Sequence, residues 1–299
     1  MHVTYPERHF GPRPFIAAMR DELAARPYTR IGVEPLAPTI GAEIRGVDLR
    51  EPLDDETFAE IERAHHDYKV IVFRDQDLST QQHLAFAHRF GELEEHPFLP
   101  PKDGHDEVVQ FAKNEEVVGV ENVWHSDVSW RECPALGAVL RAREVPKVGG
   151  DTLFADMIAA YEGLDDAMKK RLEGKIAIHD FTHSFGLAMP PDKLAEQQKK
   201  FPAVEHPIVR THPATGRKIL YVNSIFTSHI KDMERSESDA LLQYLYRQAS
   251  IPEYQFRLHW EKNTLAFWDN RSVQHYAAND YWPQQRVMER VAIVGDRPH

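Results

Sequence analysis

His125 and Asp127 stand two residues apart in E-N-V-W-H-S-D-V-S-W, residues 121–130. In a β-strand, side chains at this spacing project to the same face, so an imidazole and a carboxylate could approach one cation together. H-x-D by itself also arises by chance at a polar strand edge. A third ligand is available in W-D-N-R-S-V-Q-H-Y, where His275 follows the apolar run T-L-A-F-W and could project from a strand end or a loop. Two neutral imidazoles and one carboxylate leave three coordination positions open, the arrangement used by non-haem Fe(II) oxygenases. A bidentate 2-oxo acid and O2 could fill those positions. The far carboxylate of the acid would then need a cation, for which Arg286 is a candidate.

Arg286 opens R-V-M-E-R-V-A-I-V, an alternating run in which Arg286, Met288, Arg290, Ala292 and Val294 share one face. Val287, Glu289, Val291 and Ile293 share the other. The second face is the more apolar apart from Glu289, which would leave both arginines in solvent. The opposite reading places Arg286 and Arg290 inside a barrel mouth, about 13 Å apart at roughly 3.3 Å per residue. Each would then require an anion, because an unpaired buried guanidinium is too costly to keep, and its planar fork suits a carboxylate. The alternation alone leaves both readings open.

Taken in order, H-S-D, G-G-D-T, W-D-N-R-x-x-Q-H and the arginine that follows resemble the taurine dioxygenase family of Fe(II)- and 2-oxoglutarate-dependent enzymes. The similarity runs from I-G-V-E-P-L-A-P-T-I-G-A-E-I-R-G-V-D-L to G-D-R-P near the end. It implies an iron site on His125, Asp127 and His275, and a 2-oxoglutarate site on Thr152 and Arg286. It implies a double-stranded β-helix, a jelly-roll barrel. In H-P-F-L, His96 matches a histidine that contacts a sulfonate, and Arg290 matches the arginine paired with it. Ser184 and Phe185 in T-H-S-F-G, and Phe226 in S-I-F-T, match other pocket-lining positions. The implied reaction consumes O2 and 2-oxoglutarate, giving succinate and CO2. It hydroxylates a small sulfonate or alkyl sulfate, which then releases sulfite or sulfate plus an aldehyde. Leu99 stands where taurine enzymes commonly carry a tyrosine, and V-E-N-V-W departs from their N-D-N-W. Taurine recognition is therefore the point of departure. A carboxylate substrate such as an aryloxyalkanoate or amino-acid derivative is the nearer alternative; a non-catalytic jelly-roll metal-binding protein is the farther one.

These residues need a scaffold. L-D-D-E-T-F-A-E-I-E-R-A-H-H predicts a helix capped by Asp54, with Phe58, Ile61 and His65 on one face. K-V-I-V-F predicts a short buried strand. S-T-Q-Q-H-L-A-F-A-H-R-F-G predicts a helix with a Ser79–Gln82 capping box and a stop at Gly91. E-V-V-Q-F, A-L-G-A-V-L-R-A and D-T-L-F-A read as strands. A helical insertion follows, with A-A-Y-E-G-L-D-D-A-M-K-K-R-L amphipathic and D-K-L-A-E-Q-Q-K-K-F mostly polar. H-P-I-V-R-T-H and I-L-Y-V-N resume the strands, and a helix opens on Ser236. Three strands close the chain: Y-Q-F-R-L-H-W, T-L-A-F-W and R-V-M-E-R-V-A-I-V. The pattern fits an α+β fold: a jelly-roll core with flanking and inserted helices. Residues 1–30, including the helical piece F-I-A-A-M-R-D-E-L-A-A, read as an N-terminal arm and residues 31–299 as one dioxygenase domain.

Composition closes off other classes. With 36 basic and 47 acidic residues the formal charge is −11, which argues against a nucleic-acid partner. No apolar run is long enough to span a membrane, and the start lacks a secretory pattern. A single cysteine, Cys133, allows no internal disulfide and no cysteine-based zinc site; nothing beside it suggests a catalytic thiol. The expectation is a cytoplasmic protein, by resemblance a homodimer or homotetramer. Of the remaining histidines, His65 and His66 read as packing or surface groups, and His179 and His183 as loop residues. Trp268 and Asn270 read as barrel supports.

Overall fold

Hydrogen-bond signals local to the chain form where the sequence places them. The computed structural model describes residues 11–299; the first ten residues of the arm lie outside them. Asp54 caps the helix Asp55–Tyr68 by accepting from the Thr57 N–H at 2.7 Å. The Ser79–Gln82 capping box starts the helix Thr80–His88, with both reciprocal bonds made. Each cap satisfies N–H groups that have no partner within their own helix.

The architecture is mixed α/β, with seven α-helices among the described residues and strands gathered into four sheets. The largest sheet has eight strands, in the order Gly32–Pro35, Ala42–Arg45, Val70–Phe73, Leu265–Asp269, Gly137–Glu144, Arg286–Ile293, His105–Lys113 and Pro101–Lys102. Its pairs are antiparallel except Ala42–Arg45 with Val70–Phe73. A three-stranded sheet orders Gln255–Leu258, Thr152–Asp156 and Val273–Ala277.

These two sheets share a core. Val72, Leu140, Trp268 and Met288 of the large sheet pack with Phe154, Phe256 and Val273 of the small one. On the other face of the large sheet, Phe73, Val139, Phe267 and Ile293 meet Ile61 and Phe86 of the two capped helices. Full burial of each such side chain contributes about 1.5–3 kcal/mol. Coverage on both faces explains why V-I-V-F is apolar throughout rather than alternating.

Several expectations are revised. The amphipathic insertion is two helices, Met157–Glu162 and Asp166–Leu172. They part at Gly163, where a Cβ would collide with the Tyr254 hydroxyl, and Asp165 caps the second by accepting from the Met168 N–H. The helix expected to open on Ser236 spans Arg235–Tyr246, with the Glu234 carboxylate as its cap. Four strands, not three, close the chain, because Val273–Ala277 is a strand of its own. Pro14–Ala24 forms the helix expected near the start and buries Met19 and Leu23.

Candidate active site

His125 and Asp127 are not brought together by a strand. His125 makes a single bridge to His275, each backbone N–H donating to the other's carbonyl at 3.1 and 2.8 Å. The chain then turns, and Val128 takes a left-handed φ of 46°. The Asn270 amide holds this turn from both sides: its oxygen accepts from the Asp127 N–H at 2.6 Å, and its nitrogen donates to the carbonyls of Asp127 and Ala135 at 2.9 and 3.1 Å. Asn270 therefore supports the site directly, and the motif W-D-N-R was its signal.

One ligand atom from each of His125, Asp127 and His275 lies within 4.8 Å of the others. His125 Nδ1 is 2.8 Å from the Val123 carbonyl, so that nitrogen carries the proton and Nε2 keeps its lone pair. Burial, then the neighbouring His125, pushes the His275 pKa down to about 3, leaving a neutral imidazole. The Asp127 carboxylate is buried, which would raise its pKa, yet Arg290 and the two imidazoles hold it well below the usual range. Its Oδ1 sits 3.6 and 3.9 Å from the two Nε2 atoms, while Oδ2 accepts from Arg290 at 3.0 Å. Two imidazole lone pairs and one carboxylate oxygen fit a divalent first-row metal such as Fe(II).

The triad lines a cavity of about 230 Å³ together with Thr152, Arg286, His96, Phe185, Phe226 and Arg290. The register explains the arginines. Arg286 and Arg290 lie opposite Lys113 and Val109 in the large sheet, and the face they share with Met288 is the cavity face. Glu289, the exception on the other face, is buried against Arg141 and Lys102. Arg286 Nε donates to the Gly150 carbonyl at 3.1 Å, and among the described residues no carboxylate lies within ion-pair distance of its guanidinium. Burial lowers its pKa, but an arginine stays protonated in a protein. Gly150 has φ 71° and a Cβ there would press on Arg286 Cδ at 3.2 Å. Thr152 Oγ1 accepts from Trp260 Nε1 at 2.9 Å, which leaves the threonine proton free to donate into the cavity.

His96 Nδ1 accepts from the backbone N–H groups of Phe98 and Leu99 at 3.2 and 3.0 Å. Its ring proton is thus on Nε2, and burial, reinforced by Arg290, pushes its pKa down to about 3. Ser184 does not line the cavity: its hydroxyl donates to the Phe181 carbonyl at 2.9 Å and closes the turn before Phe185–Ala188. His179 is not a loop residue but the buried end of the strand Ile176–His179, bonded to Ser129 Oγ. His65 stacks on Phe267 at 3.8 Å, and Cys133 is exposed. Sequence reasoning missed Trp260, which orients Thr152, and the ion pair of Lys113 with Glu121 at the cavity wall, 2.9 Å long. Neither pair carries a motif: Trp260 lies 108 positions from Thr152, and Lys113 and Glu121, though close in the chain, show no spacing that marks them as partners.

Comparisons with known proteins point the same way. The family described as taurine catabolism dioxygenase TauD, TfdA family matches residues 32–292. An alpha-ketoglutarate-dependent sulfate ester dioxygenase of Pseudomonas putida is 35% identical over 92% of this chain and 94% of its own. An alpha-ketoglutarate-dependent 2,4-dichlorophenoxyacetate dioxygenase of Cupriavidus pinatubonensis is 34% identical over 88% of this chain and 97% of its own. The crystal structure of a taurine dioxygenase from Burkholderia xenovorans superposes with a TM-score of 0.78 at 36% identity, covering 90% of this chain and 93% of that one. With the triad and two arginines in one cavity, the chain belongs to the TauD, TfdA family of 2-oxoglutarate-dependent non-haem iron dioxygenases.

Proposed function

We propose that this dioxygenase hydroxylates a small sulfonate or an alkyl sulfate on the carbon bonded to the sulfur-bearing group. The product then releases sulfite or sulfate plus an aldehyde. One oxygen atom of O2 enters succinate, formed with CO2 from 2-oxoglutarate, and the other enters the substrate. The observation that carries this reading is the entry of two guanidinium groups, Arg286 and Arg290, into the cavity of the triad. Arg286 has no counter-ion and Arg290 only Asp127, which the two imidazoles share, so each can take an anion.

His125, Asp127 and His275 would hold Fe(II), which with 2-oxoglutarate and O2 supplies the oxidising power for the C–H step. Arg286 would pair with the distal carboxylate of 2-oxoglutarate, and the free Thr152 proton would bond the same group. His96, through Nε2–H, and Arg290 would grip the substrate head group and aim the adjacent carbon at the metal. Phe185 and Phe226 would keep water from it. Ser184 would act only by shaping the turn that presents Phe185.

Opposed sheets around a common core support a double-stranded β-helix over residues 31–299, with residues 1–30 as an arm. We also propose a cytoplasmic homodimer or homotetramer with no nucleic-acid or membrane partner. The charge of −11 supports the first exclusion, and among the described residues no helix is long and apolar enough to cross a membrane. A carboxylate substrate is the second reading, because Arg290 would serve it equally well and one relative is named for an aryloxyacetate.

Purified protein with Fe(II), ascorbate and 2-oxoglutarate tests the reading. Succinate formation should rise with an alkanesulfonate or alkyl sulfate, with sulfite or sulfate in equal amount. Stimulation by aryloxyalkanoates alone would select the second reading. Metal binding without turnover on either class would select a non-catalytic metal protein.

A further inference from the structure

The acidic groups of the cavity are already engaged. Asp127 is shared between Arg290 and the imidazoles, and Glu121 pairs with Lys113 while its other oxygen accepts from the Val120 N–H at 2.8 Å. Asn279 donates its amide to the Gly119 carbonyl at 2.6 Å. An ammonium group entering this space would meet cations and apolar surface, with no carboxylate left for it.

Donors, by contrast, remain available. The tautomer of His96 offers Nε2–H, and the buried Arg290 Nε has no partner. Beyond them the wall is Leu99, Phe111, Leu140, Phe185, Phe226 and Met288. Apolar surface continues outside. Val120 lines the cavity and is 76% exposed, with Val117 and Val118 half exposed in the same loop. Leu187 follows the lining residue Phe185 by two positions and is also exposed. Trp282, next to the lining residue Tyr281, is exposed and donates to the Glu115 carbonyl of the valine loop. Val117, Val118 and Val120, with Trp282 tied to the same loop, thus form an exposed apolar group continuous with the cavity wall at Val120, the kind of surface that marks a binding rim.

Resting on the dioxygenase reading above, we propose that the site selects organic anions with an uncharged apolar tail long enough to reach the valine rim, and rejects zwitterions such as taurine. The head group sits on His96 and Arg290. The tail runs over Leu99, Phe185 and Phe226 and covers Val117, Val118 and Val120. Glu121 takes part by being neutralised: free, it would invite an ammonium group.

The test is anaerobic calorimetric titration of the Mn(II)- and 2-oxoglutarate-loaded protein with ethane-, propane-, hexane- and octanesulfonate and with taurine, alongside the aerobic succinate assay. Kd should fall by up to about fourfold per methylene buried. Taurine should bind at least tenfold more weakly than propanesulfonate, which has the same number of chain atoms. Lys113→Met should narrow that gap. Val118→Asp with Val120→Asp should weaken octanesulfonate at least tenfold more than ethanesulfonate. Binding that is flat across chain length, or taurine as tight as propanesulfonate, would overturn the tail preference and leave the dioxygenase reading intact. A steep chain-length dependence without any stimulation of succinate formation would overturn the reading and leave the tail preference. Binding of none of these ligands would overturn both.

Discussion

The strand Arg286–Ile293 presents two faces, both buried and both charged, that treat charge in opposite ways. On one, Glu289 is enclosed by Arg141 and by Lys102, whose Nζ lies 2.7 Å away. Every charge there finds its partner inside the fold. On the other, Arg286 reaches only a backbone carbonyl, and Arg290 shares Asp127 with two imidazoles. Desolvating an ion costs several kcal/mol, which the fold recovers only where counter-charges surround it. A closed cluster therefore belongs to the architecture. An open one is completed by a ligand.

Five experiments would break or sharpen this contrast. The largest effect belongs to the proposed metal ligands: His275→Ala should lower turnover on the order of a thousandfold or more and abolish metal uptake, measured by succinate rates and metal content. On the closed face, Glu289→Leu should cost about 3–5 kcal/mol in urea unfolding, since it strands the buried Arg141. A double change with Arg141→Met should recover most of it. On the open face, Arg286→Met should raise the KM for 2-oxoglutarate on the order of a hundredfold with little loss of thermal stability. A melting temperature that falls as far as in Glu289→Leu would erase the distinction. Asn270→Ala removes the clamp on Asp127 and should weaken metal affinity by about 10–100-fold, measured by competition with a chelator.

The smallest effect is a pH slope. Burial would raise the Glu289 pKa, but Arg141 and Lys102 outweigh it and lower it to about 2. Its folded value thus lies below the unfolded one, so its stabilisation is complete above about pH 4–5 and disappears as pH falls toward 2. Urea unfolding at stepped pH should show a shallower acid slope in Glu289→Gln.

Features carried by neighbouring residues were legible. Asp54 and the Ser79–Gln82 box act within four residues of themselves, so their types suffice to place two helix starts. The candidate groups were legible too: His125, Asp127, His275, Thr152 and Arg286, picked out by the order of their motifs, line one cavity. Geometry was less so. The strand spacing that suggested His125 and Asp127 as partners is not what joins them; a bridge to His275 and a left-handed Val128 do. The break at Gly163 is only partly local: Asp165 caps the helix that follows, but the space that demands a glycine is set by Tyr254, more than ninety positions away.

The sequence by itself determined which groups could bind a metal and an oxo acid, since ligand type and charge are properties of single residues. It also determined the family, through motifs whose order survives without coordinates. Only the tertiary structure decided which face of R-V-M-E-R-V-A-I-V meets the cavity. Alternation reports that a strand has two faces, whereas burial on both sides removes the polarity difference that would tell them apart. It likewise decided that Glu121 is neutralised by Lys113 and that the exposed valines of its loop continue from the cavity wall. The cavity beside them is assembled from segments far apart in the chain and exists only once the sheets have closed.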